Sequence, residues 1–135
     1  MTSVEAALMT RLTADSTLQN LLGASGRIRH ANENLGAVAA GEVTYSCVSI
    51  LPGDVSPCTD VELYQFNIYS NSAGAIRERI RRLLEEYRFP SLTDGVINSC
   101  LHEWTGGDEF DTPLQVEVKR IRFKIEVCRS AQTPV

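Results

Sequence analysis

An α+β fold is predicted, with one mostly antiparallel sheet of about four long strands packed against an N-terminal helix and a central amphipathic helix. Three observations predict it. Apolar residues recur at helical spacing after Val4 and again after Ala73, they alternate or run together in four other stretches, and turn residues divide the stretches. With 135 residues the chain suits a single core, since a folded chain of that size buries roughly two-thirds of its extended surface. One domain over residues 1–128 and a loose, unpatterned tail over 129–135 is the expected organisation.

Thr2 to Glu5 has the form of a capping box, in which a hydroxyl accepts from a free backbone N–H and Glu5 reaches back. A helix starts there, with Val4, Ala7, Leu8 and Leu12 as its apolar stripe. Asp15 or Ser16 restarts a short second turn carrying Leu18, Leu21 and Leu22, which Gly23 and Gly26 end. Around Ile28 the chain reads as a small strand or an extended arm. The segment Ala31 to Glu42 is small, flexible and weakly patterned, and so long a loop in a compact domain is usually functional or mobile.

Val43 to Ile50 is rich in β-branched and aromatic residues and reads as a strand buried on both faces toward its end. Pro52, Gly53 and Asp54 supply turn chemistry, and Pro57 keeps the connection irregular. From Val61 to Tyr69 the chain alternates, placing Tyr64, Phe66 and Ile68 on one side, so these two strands are expected to form a hairpin. Ser70 to Ser72 offers a cap to the clearest helix, Ala73 to Tyr87, whose Ile76, Ile80, Leu83, Leu84 and Tyr87 share one face. Phe89-Pro90 stops it.

Val96 to Trp104 is a third long strand and Gly106 to Pro113 an acidic turn. The last strand, Leu114 to Cys128, changes alternation phase between Val118 and Ile121. A β-bulge near Lys119 and Arg120 is the expected cause, and their edge is expected to be open to pairing across subunits.

Little in the chain is equipped for chemistry. Its formal charge of -4 argues against holding nucleic acid by bulk electrostatics. The N-terminus lacks the pattern of a secretory leader, and no apolar run approaches the ~18–20 residues of a membrane span. Cys47, Cys58, Cys100 and Cys128 are scattered without a CxxC pair and read as reduced, mostly buried thiols, a Cys47–Cys100 disulfide being the lesser alternative. His30 and His102 have no ligand-spaced partners, and Ser46, Ser49 and Ser99 sit in no nucleophile elbow. Gly23 to Gly26 is a helix stop, not a phosphate loop. Asp108, Glu109 and Asp111 lack calcium-loop spacing and read as a solvated acidic turn. No catalytic, metal or cofactor residue is expected.

The helix carrying Arg77, Arg79, Arg81, Arg82 and Arg88 leaves three readings open: it meets phosphates, an acidic partner surface, or water. Interleaved Glu78, Glu85 and Glu86 neutralise much of its field, and no aromatic stands between the arginines as a stacking platform.

Several segments taken in order resemble the phage tail-completion family related to siphophage tail terminators. They are Ser3 to Leu8, Leu12 to Gly23, Gly26 to Ile28, Val43 to Ser49, Leu63 to Ser70, Ala75 to Tyr87 and Val118 to Val127. The family's usual proline before the first long strand is replaced here by Ala40, Gly41 and Glu42, and the last loop is unusually acidic. The resemblance implies a non-enzymatic virion protein: a homohexameric ring at the head-proximal end of the tail tube. Such a ring halts tube growth and offers a surface for head joining. Its implied partners are other copies of itself, the tail tube protein and a head-tail connector or neck protein, with DNA only as passing cargo and no membrane. A ring follows from a head-to-tail contact whose rotation closes, and stopping growth needs only a face that rejects another tube ring. The alternatives are a head-side neck or stopper protein and a nucleic-acid-binding module using the arginine face. Candidate contact residues are Asn32, Glu33, Asn34 and Glu42 in the long loop, Arg77, Arg81 and Arg82 on the helix, Asp108, Glu109 and Asp111 in the acidic turn, and Lys119 and Arg120 in the last strand.

Overall fold

The computed structural model describes residues 4–23, 27–30, 40–52, 59–85 and 97–128. The opening forms two helices, α1 (Val4–Thr13) and α2 (Ser16–Leu22). The stripe Val4, Ala7, Leu8 and Leu12 is buried, as are Leu18 and Leu22. Asp15 caps α2 from an extended backbone, its carboxylate accepting the Leu18 N–H at 2.8 Å. Gly23 closes the helix at φ 85, a left-handed conformation that costs glycine little.

Six strands follow: β1 (Ile28–His30), β2 (Glu42–Pro52), β3 (Thr59–Tyr69), β4 (Ile97–Thr105), β5 (Glu109–Asp111) and β6 (Val116–Cys128), with α3 (Ala73–Glu85) between β3 and β4. The sheet order is β1-β2-β3-β6-β4, with β5 paired to the start of β6. β1 runs parallel to β2, and every other pairing is antiparallel. β3 and β4 therefore point the same way with β6 between them, and α3 makes the crossover. The chain around Ile28 is thus a short edge strand.

Buried residues of α1, α2 and α3 join one face of the sheet in a single cluster. Its centre is Val43 and Tyr45 of β2, Tyr64, Phe66 and Ile68 of β3, Ile121, Phe123 and Ile125 of β6, and Ile76, Ile80 and Leu84 of α3. The Phe66 and Phe123 rings meet edge to face, 6.0 Å apart at 81°. Ser72 opens α3, its carbonyl accepting the Ile76 N–H at 3.0 Å.

Four expectations are corrected. β6 has no bulge at Lys119 and Arg120, because its ladder with β3 runs unbroken from Cys128 to Val118. Val116 and Val118 are buried outside the helix-covered cluster, so the phase change marks a switch of buried face, not an extra residue. The edge reading fails too: β6 is interior, Lys119 and Arg120 pairing with Ile68 and Asn67 on one side while Arg120 accepts the Gly106 N–H on the other. Register shifts lie elsewhere, between Cys47 and Ser49 in β2 and at two places in β4, Ile97 to Ser99 and His102 to Trp104. Third, the far end of β2 is not buried on both faces, since Val48 and Ile50 are 44% and 64% exposed. Fourth, the acidic turn contains β5, and the chain reverses into β6 through Gln115 at φ 56, with the Asp111 carboxylate accepting the Leu114 N–H. Cys47 and Cys100 carry free thiols, half-buried and buried. The capping box at Thr2 and Ser3, Gly26, most of the long loop, the Gly53–Cys58 turn, Tyr87 to Pro90 and the C-terminal tail lie outside the described residues.

Candidate interaction surfaces

The arginines of α3 have distinct jobs. Arg79 reaches from α3 to the capping carboxylate of Asp15, with Nη2 2.6 Å from Oδ1 and Nε 2.9 Å from Oδ2. This grip holds the Asp15 carboxyl below its ordinary range against the opposing cost of burial, with the Leu18 N–H adding a further lowering. Arg81 pairs with Glu85 at 3.0 Å and with Glu78 at 3.6 Å, and Arg82 pairs with Glu78 at 3.5 Å. Arg77 donates to the Gly106 carbonyl at 3.3 Å, tying the helix to the β4–β5 connection. Of the predicted contact residues Arg77, Arg81 and Arg82, only Arg82 stands largely in solvent, at 70% exposure.

The acidic turn, read from the sequence as solvated, instead pairs with β6, and it does so on two faces of the sheet. Asp108 forms an ion pair with Lys119, which alternation along β6 places on the helix-bearing face. That hydrogen bond, with the fields of Lys119 and Arg77, pulls the Asp108 carboxyl below its usual range. Glu109 pairs with Arg120 on the opposite face. Asp111 is spent on its own turn. Glu42 accepts from the buried Arg29 at 2.9 Å, a tie between β1 and β2, while Asn32, Glu33 and Asn34 lie outside the described residues.

Across the face of the sheet away from the helices runs a polar chain absent from the sequence reading. Arg122 donates to Gln65 at 2.7 Å, Gln65 donates to Asn67 at 2.9 Å, and the same Asn67 oxygen accepts from Arg120 at 2.9 Å. The Arg122 guanidinium also lies 5.2 Å from the centroid of the Trp104 ring. Gly106 lets these groups close up: a Cβ there would meet Trp104 Cη2 at 3.0 Å and Arg120 Cβ at 3.2 Å. The signal that could have found it is alternation, which puts Gln65 and Asn67 beside Arg120 and Arg122 once β3 and β6 are known neighbours.

Two other places hold shifted groups. Glu62 is buried on the helix side of β3, accepting from Tyr64 Oη at 3.0 Å, and burial pushes its carboxyl above the ordinary range. The same burial pushes the thiols of Cys47 and Cys100 up, so neither is primed as a thiolate. At the start of β6, on the helix-bearing side, an open groove of about 280 Å³ is lined by Asp108, Glu109, Phe110, Glu117 and Lys119. His30 packs on Tyr45 near Glu5, and His102 contacts Thr105. Among the described residues no three His, Cys, Asp or Glu side chains gather as a metal site would require, and no helix is long and apolar enough to cross a membrane.

No protein-family model matches the chain, and no curated protein does. Among solved structures it is similar to a chain of the virion of a native gene transfer agent particle, with a TM-score of 0.69 and 15% sequence identity. The match covers 93% of this chain and 94% of that one. At such identity the likeness is one of fold, end to end.

Proposed function

We propose that this chain is a structural protein of a phage-type virion, acting as a tail terminator: a ring, six copies in the resembled family, seated on the head-proximal end of the tail tube. The observation that carries this reading is the end-to-end likeness to a virion chain, 93% and 94% of the two lengths. The ordered resemblance of its segments to the tail-completion family supports the finer assignment. The side chains fit a role played by surfaces. Charged groups are spent on tying elements together, Arg79 on Asp15 and Arg120 on Glu109, and the free thiols are held protonated by burial. The ring reading needs contacts and no bond-making step.

The function is tested by building particles without the protein. Tails of irregular, excessive length that fail to join heads are expected, and normal tails with full infectivity would overturn the reading. Co-sedimentation separates it from the neck alternative: a terminator travels with tail tubes, a head-side stopper with filled heads.

A further inference from the structure

This inference rests on the ring reading and names the two patches that build the ring. On the sheet face away from the helices, Arg120, Arg122 and Lys124 form one column of β6, ended by Glu126. Arg120 is neutralised by Glu109, whereas Arg122 and Lys124 make no ion pair among the described residues. Beside them stand Leu101, paired with Lys124, and Trp104, paired with Arg122, 42% and 43% exposed. The patch is basic and apolar at once, and it sets Arg122 beside the exposed Trp104, two residue types enriched at protein interfaces.

A second patch has the opposite character. Phe110, 57% exposed, sits across from Glu117 in the β5–β6 ladder, at the groove on the helix-bearing face. Asp108 and Lys119 cancel there and Glu109 is held by Arg120, which leaves Glu117 without an ion pair among the described residues, beside an exposed aromatic ring. Glu117 and Lys124 belong to the same strand but, seven positions apart, point from opposite faces roughly 23 Å from each other at ~3.3 Å per residue.

We propose that the occupant of the basic patch is a second copy of this chain: Phe110 of one copy seats on Trp104 and Leu101 of the next, with its Glu117 against Lys124. Charge selects the geometry. A two-fold contact of either patch with itself would set Lys124 against Lys124 or Glu117 against Glu117, and like charges across an interface repel. The unlike contact joins copies in one orientation, and such a head-to-tail contact closes into a ring when its rotation divides a full turn. Phe110 is the anchor, a large ring entering an aromatic and aliphatic seat.

The test is a charge swap read on tail tubes with the full chain, by co-sedimentation and by counting copies per tube end. Lys124 and Glu117 are both exposed, so reversal at either leaves the thermal midpoint close to wild type. Lys124→Glu and Glu117→Lys are each expected to weaken ring formation by about tenfold or more, and the double variant to recover most of it. Phe110→Ser weakens it without rescue by either reversal. Single variants that assemble like wild type, or a double variant no better than the singles, would overturn the docking while leaving the ring reading intact. A wild-type chain that forms no ring on tubes overturns both. Loss of DNA retention in Lys124→Glu, with ring formation unchanged, would assign the basic patch to nucleic acid instead.

Discussion

Arg79 and Asp15, 64 positions apart in the chain, meet in a two-pronged ion pair that also caps a helix: the Asp15 oxygen receiving Arg79 Nε at 2.9 Å receives the Leu18 N–H at 2.8 Å. One carboxylate thus starts α2 and fastens it to α3. Replacing Asp15 with Ala removes the cap, a loss of about 1 kcal/mol, and a charge-assisted pair on a half-exposed arginine, for a total near 1–3 kcal/mol. Urea unfolding at neutral pH measures it. The pH dependence has a definite sign. Asp15 has its folded pKa lowered, so its contribution is complete above the ordinary carboxylate range and is lost as pH falls through the lowered value. Asp15→Asn therefore differs most from wild type at neutral pH and converges with it in acid.

Glu62 should behave in the opposite sense. Burial raises its folded pKa, so the ionised carboxylate weakens the fold at neutral pH, and the penalty fades as pH falls through the raised value toward the ordinary one. Glu62→Gln keeps an oxygen for the Tyr64 hydroxyl and removes the charge. Its unfolding midpoint in urea is expected above that of wild type near neutral pH, with the gap narrowing in acid. A gap that widens on acidification would refute this account of the site.

The centre of the core gives the largest expected losses. Phe66, Phe123 and Ile80 have no solvent exposure. Phe66→Ala is expected to cost about 3–5 kcal/mol and Ile80→Ala about 2–5 kcal/mol, because a cavity remains where the side chain was. Ile80 also links α3 to the sheet, so its loss should speed hydrogen exchange first in that helix.

Gly106 offers a test with its own reporter, because Trp104 is the single tryptophan of the chain. Any side chain at residue 106 must displace the Trp104 ring or the Arg120 stem, both within about 3.2 Å of the new Cβ. Gly106→Val should destabilise by about 1–3 kcal/mol through overpacking and shift the tryptophan emission as the ring leaves Arg122. Arg122→Ala should shift the same emission and cost about 1–2 kcal/mol, since the Gln65 hydrogen bond is lost together with the cation–π contact.

What the sequence disclosed, and what it hid, follows from where each signal is stored. The stripes of α1 and α3 were legible because Val4, Leu8 and Leu12, or Ile76, Ile80 and Leu84, repeat a helical period within one element, and the alternation of Tyr64, Phe66 and Ile68 did the same for β3. β5 was hidden because three residues, Glu109 to Asp111, are too few to show a period and are charged at both ends. The bulge assigned to β6 belongs to β2 and β4, since alternation counts residues along one strand while a bulge is defined against its neighbour. Val48 and Ile50 looked buried from apolarity alone, yet they lie in the far half of β2, near its bulge, where the side chains are exposed. For the candidate surfaces the limit was the same. Arg77, Arg79, Arg81 and Arg82 look equivalent in sequence, and only the packing of α2 against α3 makes Arg79 a clasp and leaves Arg82 in solvent.

That unequal use of arginines leads to the last prediction, which sets the surface reading against the nucleic-acid alternative. Glu78 serves both Arg81 and Arg82, Glu85 serves Arg81, and Asp15 serves Arg79, so the α3 face presents little net positive field. The chain as a whole carries -4. Duplex DNA binding is therefore expected to be weaker than about 10⁻⁴ M at physiological salt, the weak end of non-specific binding. Changing Arg77, Arg81 and Arg82 together to Glu should leave that weak binding and its salt slope nearly unchanged, as fluorescence anisotropy across a salt series would measure. Each surface ion pair on α3 should also contribute little to stability, being exposed to water and screened by salt. A steep salt slope abolished by the triple change would mean that the helix face attracts phosphates after all, its glutamates being drawn aside when nucleic acid arrives.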